Sequence, residues 1–178
     1  MNEKIAIIGS GLIGRAWAIS FARAGYQVTM TDINEASLCE AHRIIKSSLE
    51  DLATHGLLND KSVEEVFTRI TGSSSVKEAL DEAIYVQENT AEVLEVKKQV
   101  YAELDSLAAP NTIIGSSTSG FMASLFTENL DGRHRCLVAH PINPPYLVPA
   151  VELCPAPWTD PNVVEKTAQI METANHKP

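Results

Sequence analysis

The sequence predicts an α/β fold, a doubly wound and mostly parallel sheet with a helical insertion after the second strand. Three observations predict it. The first is Gly9-Ser10-Gly11-Leu12-Ile13-Gly14, a G-x-G-x-x-G turn between the apolar run Ile5-Ala6-Ile7-Ile8 and an amphipathic run over 15–24. The second is Asp32, eighteen residues past Gly14, at the end of a β-like run, Val28-Thr29-Met30-Thr31. The third is the alternation of short apolar runs with capped helical runs along the remainder of the 178 residues.

Each element follows from local chemistry. Residues 5–8 are apolar throughout, as in a parallel strand covered on both faces. In the helix after the glycine turn, Ile13, Ala16, Trp17, Ser20, Phe21 and Ala24 recur at spacings of three and four. Trp17 is therefore expected in the core, and Gly25 ends the helix. Residues 28–32 make the second strand. Asn34 caps a long helix to about residue 54, with Leu38, Ala41, Ile45, Leu49 and Leu52 as its apolar stripe and Gly56 as its stop. His42 and His55, on this helix and at its end, are expected to be solvated. Ser62-x-x-Glu65 is a capping box for a short helix to about residue 68. These two helices are the insertion, before a third strand near Ile70-Thr71-Gly72.

Ser75-x-x-Glu78 caps another short helix, and residues 83–87 are the fourth strand. Thr90 is expected to cap a helix over 91–108 with Val93, Val96, Val100 and Leu104 buried and Pro110 beyond its end. A strand over 112–115 runs into Ser116-Ser117-Thr118-Ser119-Gly120, followed by a helix near 121–127. Residues 135–139 form a strand that delivers His140 at its end. Pro141-Ile142-Asn143-Pro144-Pro145 is a stiff loop, and 148–154 is extended. Asp160, with Pro161 at the first helical position, opens a helix to about residue 174. This is a Rossmann-type arrangement. Such a chain normally continues from a helix into another strand, so 1–178 is expected to be one NAD-binding domain of a longer protein.

Composition narrows the function. The chain is 44% apolar and 21% charged, in the range of a folded globular domain. A formal net charge of −9 argues against nucleic-acid or anionic-membrane partners. The apolar start is too short for a signal peptide and no run reaches membrane-spanning length, so a cytoplasmic location is expected. Cys39, Cys136 and Cys154 fit no metal-binding spacing and are expected as small buried hydrophobes; no metal site is expected.

The glycine turn carries specific chemistry. Its glycines allow a tight turn, close approach of a pyrophosphate to the backbone, and close helix–strand packing. The helix offers unpaired N–H groups and its positive dipole end to phosphate. Asp32 would take ribose hydroxyls, which favours NAD over NADP, because a 2′-phosphate would be repelled. Ligands of such sheets lie beyond the carboxyl ends of the strands. The polar residues at those ends are Gly9 to Gly14, Asp32, Glu88-Asn89, Ser116 to Ser119 and His140 to Asn143. Glu152 sits among apolar neighbours twelve residues past His140. A carboxylate buried there needs a partner. Paired with His140 it would fix the imidazole tautomer, leaving the other nitrogen to take a proton from a substrate hydroxyl. A structural histidine with a rim glutamate fits the same residues. Ser119 could hold the reacting oxygen or cap the following helix. By charge pattern alone, Glu92 and Lys97 are a solvated helix face.

The chain resembles the N-terminal domain of the 3-hydroxyacyl-CoA dehydrogenase family, and within it the lambda-crystallin / L-gulonate 3-dehydrogenase branch. The resemblance covers essentially the whole chain. It rests on the glycine turn with Arg15, Tyr85-Val86-Gln87-Glu88, Glu95-Val96-Lys97-Lys98, Ser116-Ser117-Thr118-Ser119 and Val138-Ala139-His140-Pro141-Ile142-Asn143-Pro144-Pro145-Tyr146. It implies a catalytic histidine at His140, its glutamate partner at Glu152 and a substrate-contacting serine at Ser119. It implies NAD contacts at Gly9, Gly11, Leu12, Ile13, Gly14, Asp32, Asn89, Glu92, Lys97, Ser119 and Asn143, with Asn89 acting through its backbone. The implied activity is oxidation of the 3-hydroxyl of a 3-hydroxyacyl-CoA or related 3-hydroxy acid. The alternatives are L-gulonate 3-dehydrogenase or a non-catalytic, crystallin-like structural protein.

Two departures qualify the resemblance. The family's C-terminal helical domain, which forms a homodimer and closes over the small-molecule substrate, is absent from the chain. The loop Pro141-Ile142-Asn143-Pro144-Pro145-Tyr146 differs from the Phe-Phe-Asn-Pro-Val-Pro of the acyl-CoA enzymes, which adds weight to the polyol-acid branch.

Overall fold

The computed structural model describes residues 3–178. The strands are β1 (Lys4–Ile8), β2 (Gln27–Thr31), β3 (Ile70–Ser73), β4 (Ala83–Glu88), β5 (Ile113–Ser116), β6 (Cys136–Pro141) and β7 (Val151–Pro155). The helices are α1 (Leu12–Ala24), α2 (Glu35–Thr54), α3 (Val63–Phe67), α4 (Val76–Leu80), α5 (Leu94–Leu107), α6 (Ser124–Thr127) and α7 (Pro161–Thr173). The strands form one sheet in the order β3-β2-β1-β4-β5-β6-β7. All pairs are parallel except β6 with β7. The order reverses between β1 and β4, and a ligand crevice opens at that switch point. The expected fold class is the observed one, with α2 and α3 inserted between β2 and β3.

Two apolar layers cover the sheet. On one, Trp17, Phe21, Ile45 and Leu49 of α1 and α2 pack on Ile5, Ile7, Val28, Met30 and Tyr85. On the other, Tyr101, Leu104 and Phe126 pack on Ala6, Val86, Ile114 and Val138. The periodicity of α1 and α2 predicts these faces, and Trp17 is fully buried. The caps also form as their residues dictate. Asn34 accepts from the Ala36 N–H at 3.0 Å, Ser62 and Glu65 make a reciprocal capping box, and Asp160 accepts from Asn162 N–H at 2.8 Å.

The second half of the chain departs from expectation in several places. α5 starts at Leu94, and Thr90 does not cap it; the Thr90 hydroxyl and N–H both donate to Glu88 instead. The buried face of α5 is Lys97, Tyr101 and Leu104, whereas Val93 is exposed and Val96 and Val100 are half-buried. The helix expected over 121–127 keeps one turn, because Thr118 accepts the N–H groups of Gly120 and Phe121 and holds that stretch as a turn. The extended segment is a strand only from Val151. Cys136 alone is buried; Cys39 and Cys154 are exposed, one on an outward helix face and one on the edge strand β7. His55 is exposed, but His42 is half-buried against Phe67. No described helix is long and apolar enough to cross a membrane.

Candidate active site

The site starts at the β1–α1 turn. Gly9 has φ +93°, a conformation that favours glycine. A Cβ on Gly14 would run into the Gly9 carbonyl, so Gly14 allows the helix to lie tight against the turn. A Cβ on Gly11 would meet no protein atom, so that face is open to a ligand. Gly11 is the N-cap of α1 and makes no side-chain cap, which leaves the first N–H groups of Leu12 and Ile13 available. Gly9 and Gly14 thus serve the tight turn and the close helix packing, and Gly11 leaves its face open.

Asp32 stands at the end of β2 beside this turn. Its Oδ2 accepts from the Ser10 N–H at 2.8 Å and the Ser10 hydroxyl at 2.7 Å, and its Oδ1 from the Asn34 N–H at 3.1 Å. Partial burial pushes its pKa up, but these donors outweigh that and hold the carboxyl below the usual range. Asp32 is a fixed anion at the mouth of a cavity of about 550 Å³ lined by Gly9, Gly11, Ile33, Asn89, Val96 and Val100. A negative, ribose-accepting edge with apolar walls fits the adenosine half of NAD. The Asn89 side chain turns away from a ligand role: it donates to the Gln87 carbonyl at 2.8 Å and accepts from the Ser117 hydroxyl at 2.7 Å.

A second cluster lies at the ends of β5 and β6. His140 and Glu152 are cross-strand partners in the antiparallel β6–β7 pair, and His140 Nδ1 lies 2.8 Å from Glu152 Oε2. Twelve residues of separation bring them face to face through this strand register. The burial argument from sequence does not hold: the Glu152 side chain is 66% exposed and that of His140 22%. Ser119 is exposed, and with His140 and Glu152 it lines a pocket of about 190 Å³ that also takes in Thr118, Phe121, Met122 and Cys154. Thr118, not Ser119, caps the following turn. Asn143 stands across the α1 turn, lining a separate groove with Leu12 and Ile13.

Between the two clusters lies a charged network that the charge pattern misreads as solvated. Lys97 is 1% exposed, and its Nζ lies 3.1 and 3.2 Å from the two oxygens of Glu88 and 3.3 Å from Glu92 Oε2. Glu88 is fully buried and also accepts from the Ser116 hydroxyl and from Thr90. Glu92 Oε1 accepts from the Thr118 hydroxyl and from the N–H groups of Ser119 (3.2 Å) and Gly120 (3.1 Å). Partial burial raises the Glu92 pKa, but the Thr118 hydroxyl, the Lys97 charge and the Gly120 N–H overcome that and lower it. Ser10 and Glu88, which sequence reasoning leaves without a role, hold Asp32 and Lys97 respectively. A polar side chain at the buried end of β4 was the available signal for Glu88.

Comparison with known proteins agrees with this geometry. Residues 4–178 match the family described as 3-hydroxyacyl-CoA dehydrogenase, NAD binding domain. The chain is 40% identical to the human lambda-crystallin homolog over 175 residues, 98% of this chain and 55% of that protein. It is 35% identical to L-carnitine dehydrogenase of Staphylococcus epidermidis, over 96% of this chain and 52% of that one. The fold superposes on 3-hydroxybutyryl-CoA dehydrogenase of Escherichia coli with a TM-score of 0.94 at 28% identity, covering 99% of this chain and 37% of the other. The chain spans about half the length of the curated relatives it matches. With the glycine turn, the ribose-side acid and the match over nearly its whole length, the chain belongs to the 3-hydroxyacyl-CoA dehydrogenase family as an NAD-binding domain.

Proposed function

We propose that the protein oxidises the 3-hydroxyl of a 3-hydroxyacyl-CoA or a related 3-hydroxy acid, with NAD as the oxidant. The observation that carries this reading is the His140–Glu152 pair at 2.8 Å beside Ser119. Glu152 holds Nδ1, so the hydrogen stays on that nitrogen and Nε2 presents its lone pair to the pocket. His140 Nε2 takes the proton of the substrate hydroxyl, and Glu152 stabilises the imidazolium that forms. Ser119 donates to the reacting oxygen. NAD, when bound, supplies the acceptor for the substrate's hydride.

The N–H groups of the turn from Gly9 to Gly14, including those of Leu12 and Ile13, hold the pyrophosphate. Asp32 takes the ribose hydroxyls, and the backbone of Asn89 borders the adenosine cavity. Glu92 and Asn143 stand toward the nicotinamide half. The substrate is a small molecule, and a further part of the longer protein closes over it and forms a homodimer. A second reading is a polyol acid such as L-gulonate. It is favoured by the Pro-Ile-Asn-Pro-Pro-Tyr loop.

The test is turnover by the complete protein with NAD and each of 3-hydroxybutyryl-CoA and L-gulonate, with NADH absorbance as the readout. NADH formation with either supports the dehydrogenase reading, and the better substrate separates the two branches. No NADH with both sinks the proposal. His140→Ala should lower turnover about 10²–10⁴-fold, the loss expected of a general base; a change of less than about threefold takes His140 out of the chemistry.

A further inference from the structure

The resemblance implies a cofactor contact at Lys97, yet its ammonium group is buried and surrounded by three carboxylate oxygens within 3.3 Å. The ammonium donates to both Glu88 oxygens, and Glu92 Oε2 stands at ion-pair distance from it. We propose that Lys97 is a positioning residue for the Ser119 turn, acting through Glu92. The inference rests on the dehydrogenase reading only for its functional consequence, since Ser119 is the residue placed on the substrate oxygen.

The geometry reads outward from the core. Glu88, fully buried at the end of β4, supplies the negative charge that makes a buried ammonium tolerable. Lys97, one turn into α5, spans from Glu88 to Glu92. Glu92 lies before the helix, with its side chain 45% exposed. A carboxylate so exposed would ordinarily sample several rotamers, but the Lys97 charge fixes Oε2 and thereby aims Oε1 at the Thr118–Gly120 turn. Three donors from that turn, the Thr118 hydroxyl and the Ser119 and Gly120 N–H groups, converge on this one oxygen. Glu88 reaches the same segment from the other side, because Ser116 donates its hydroxyl to Glu88 and accepts the Thr118 N–H at 3.2 Å. One lysine between two carboxylates therefore ties the ends of β4 and β5 to the serine that faces the substrate.

The test is made on the chain without ligand, by NMR. Its primary readouts are amide hydrogen exchange and the proton shifts of Ser119 and Gly120. Lys97→Met removes the charge at similar length. Glu92→Gln removes the carboxylate at a partly exposed site. Glu88→Gln with Lys97→Met removes the buried pair together, so no lone buried charge is left if the single lysine variant fails to fold. The proposal expects exchange at Ser119 and Gly120 to quicken about tenfold or more in each folded variant, as a charge-assisted contact is lost. It expects their carboxylate-bonded amide protons to move upfield, while amides of β1 and α1 keep their parent values. In the complete protein, Lys97→Met should lower kcat more than it raises KM for NAD. Unchanged exchange and shifts at Ser119 and Gly120, with NAD affinity alone reduced, would overturn the proposal and return Lys97 to the cofactor. The exchange experiment needs neither NAD nor substrate, so it can fail while the dehydrogenase reading stands, and the reverse.

Discussion

Lowering the pH should destabilise this domain through one residue, His176. The imidazole is 3% exposed, tilted against the Trp17 ring at 5.0 Å between centroids, with Nε2 2.8 Å from the Ser20 hydroxyl and Nδ1 buried without a partner among the described residues. Burial, and then the charge of Arg23, push its pKa down from 6.5 to about 4. The folded chain therefore keeps His176 neutral where the unfolded chain takes up a proton. The associated stability is complete above about pH 6.5 and is lost as pH falls through that value toward about 4. At roughly 1.4 kcal/mol per tenfold difference in proton affinity, the full loss is about 3.4 kcal/mol. Between about pH 7.5 and about 5.5 the share lost is ~1.3 kcal/mol. The range stops there because the isoelectric point is near 5.0, where the chain loses its charge and its solubility. Urea denaturation at both pH values measures the change. His176→Gln places a neutral amide near the position of Nε2, and its loss over the same range should be smaller by that ~1.3 kcal/mol. Carboxylates elsewhere contribute equally to both proteins and cancel in the difference. Equal pH dependence in parent and variant would show that His176 is not the titrating group.

Three further substitutions probe the cofactor turn. Asp32→Ala should narrow the preference for NAD over NADP by about tenfold or more, since a fixed anion no longer faces the 2′-phosphate; calorimetry with each nucleotide measures the ratio, and an unchanged ratio refutes the role. Gly14→Ala should cost about 1–3 kcal/mol in thermal or urea unfolding because its Cβ meets the Gly9 carbonyl. Gly11→Ala, with open space at its Cβ, should unfold like the parent yet bind NAD more weakly; equal stability of the two variants would contradict the division of labour among the glycines.

What the sequence makes readable here is what depends on near neighbours. The glycine turn, the Asn34, Ser62 and Asp160 caps and the stripes of α1 and α2 are settled within one or two turns of chain, and all of them form. Lys97 is different. Its neighbours in sequence suggest a wet helix, and only the arrival of Glu88, from the end of a separate strand, makes it a core residue. Thr90 goes astray for the same reason, because Glu88 takes its hydroxyl before a helix can. The His140–Glu152 pair does not depend on burial of the carboxylate. Glu152 is solvated, and what places it is antiparallel register across β6 and β7, a long-range pairing that hydrophobic pattern alone does not fix. The resemblance supplied these residues where periodicity could not.

Two glutamates in this site do opposite work, and burial decides which. Glu88, sealed at the end of β4, is paired with Lys97, and three hydroxyl and N–H donors also meet its carboxylate. That makes it a fixed point, suited to holding the backbone around Ser119. Glu152 stands in water, where its attraction for the imidazolium of His140 is screened. Excluding water from the pair raises such an interaction about fourfold, the ratio between bulk solvent and a partly covered protein surface. In the proposed role, the His140–Glu152 attraction is greatest once something covers the pocket. Bound substrate would be such a cover. The glycine turn is organised by the described chain itself, through Gly9, Gly14 and the Ser10–Asp32 hydrogen bonds, while the His140–Glu152 pair proposed for proton transfer is positioned but left open. Cofactor binding should thus be separable from turnover in this domain, because the first depends on contacts already made and the second on the exclusion of water from a pair that is still wet.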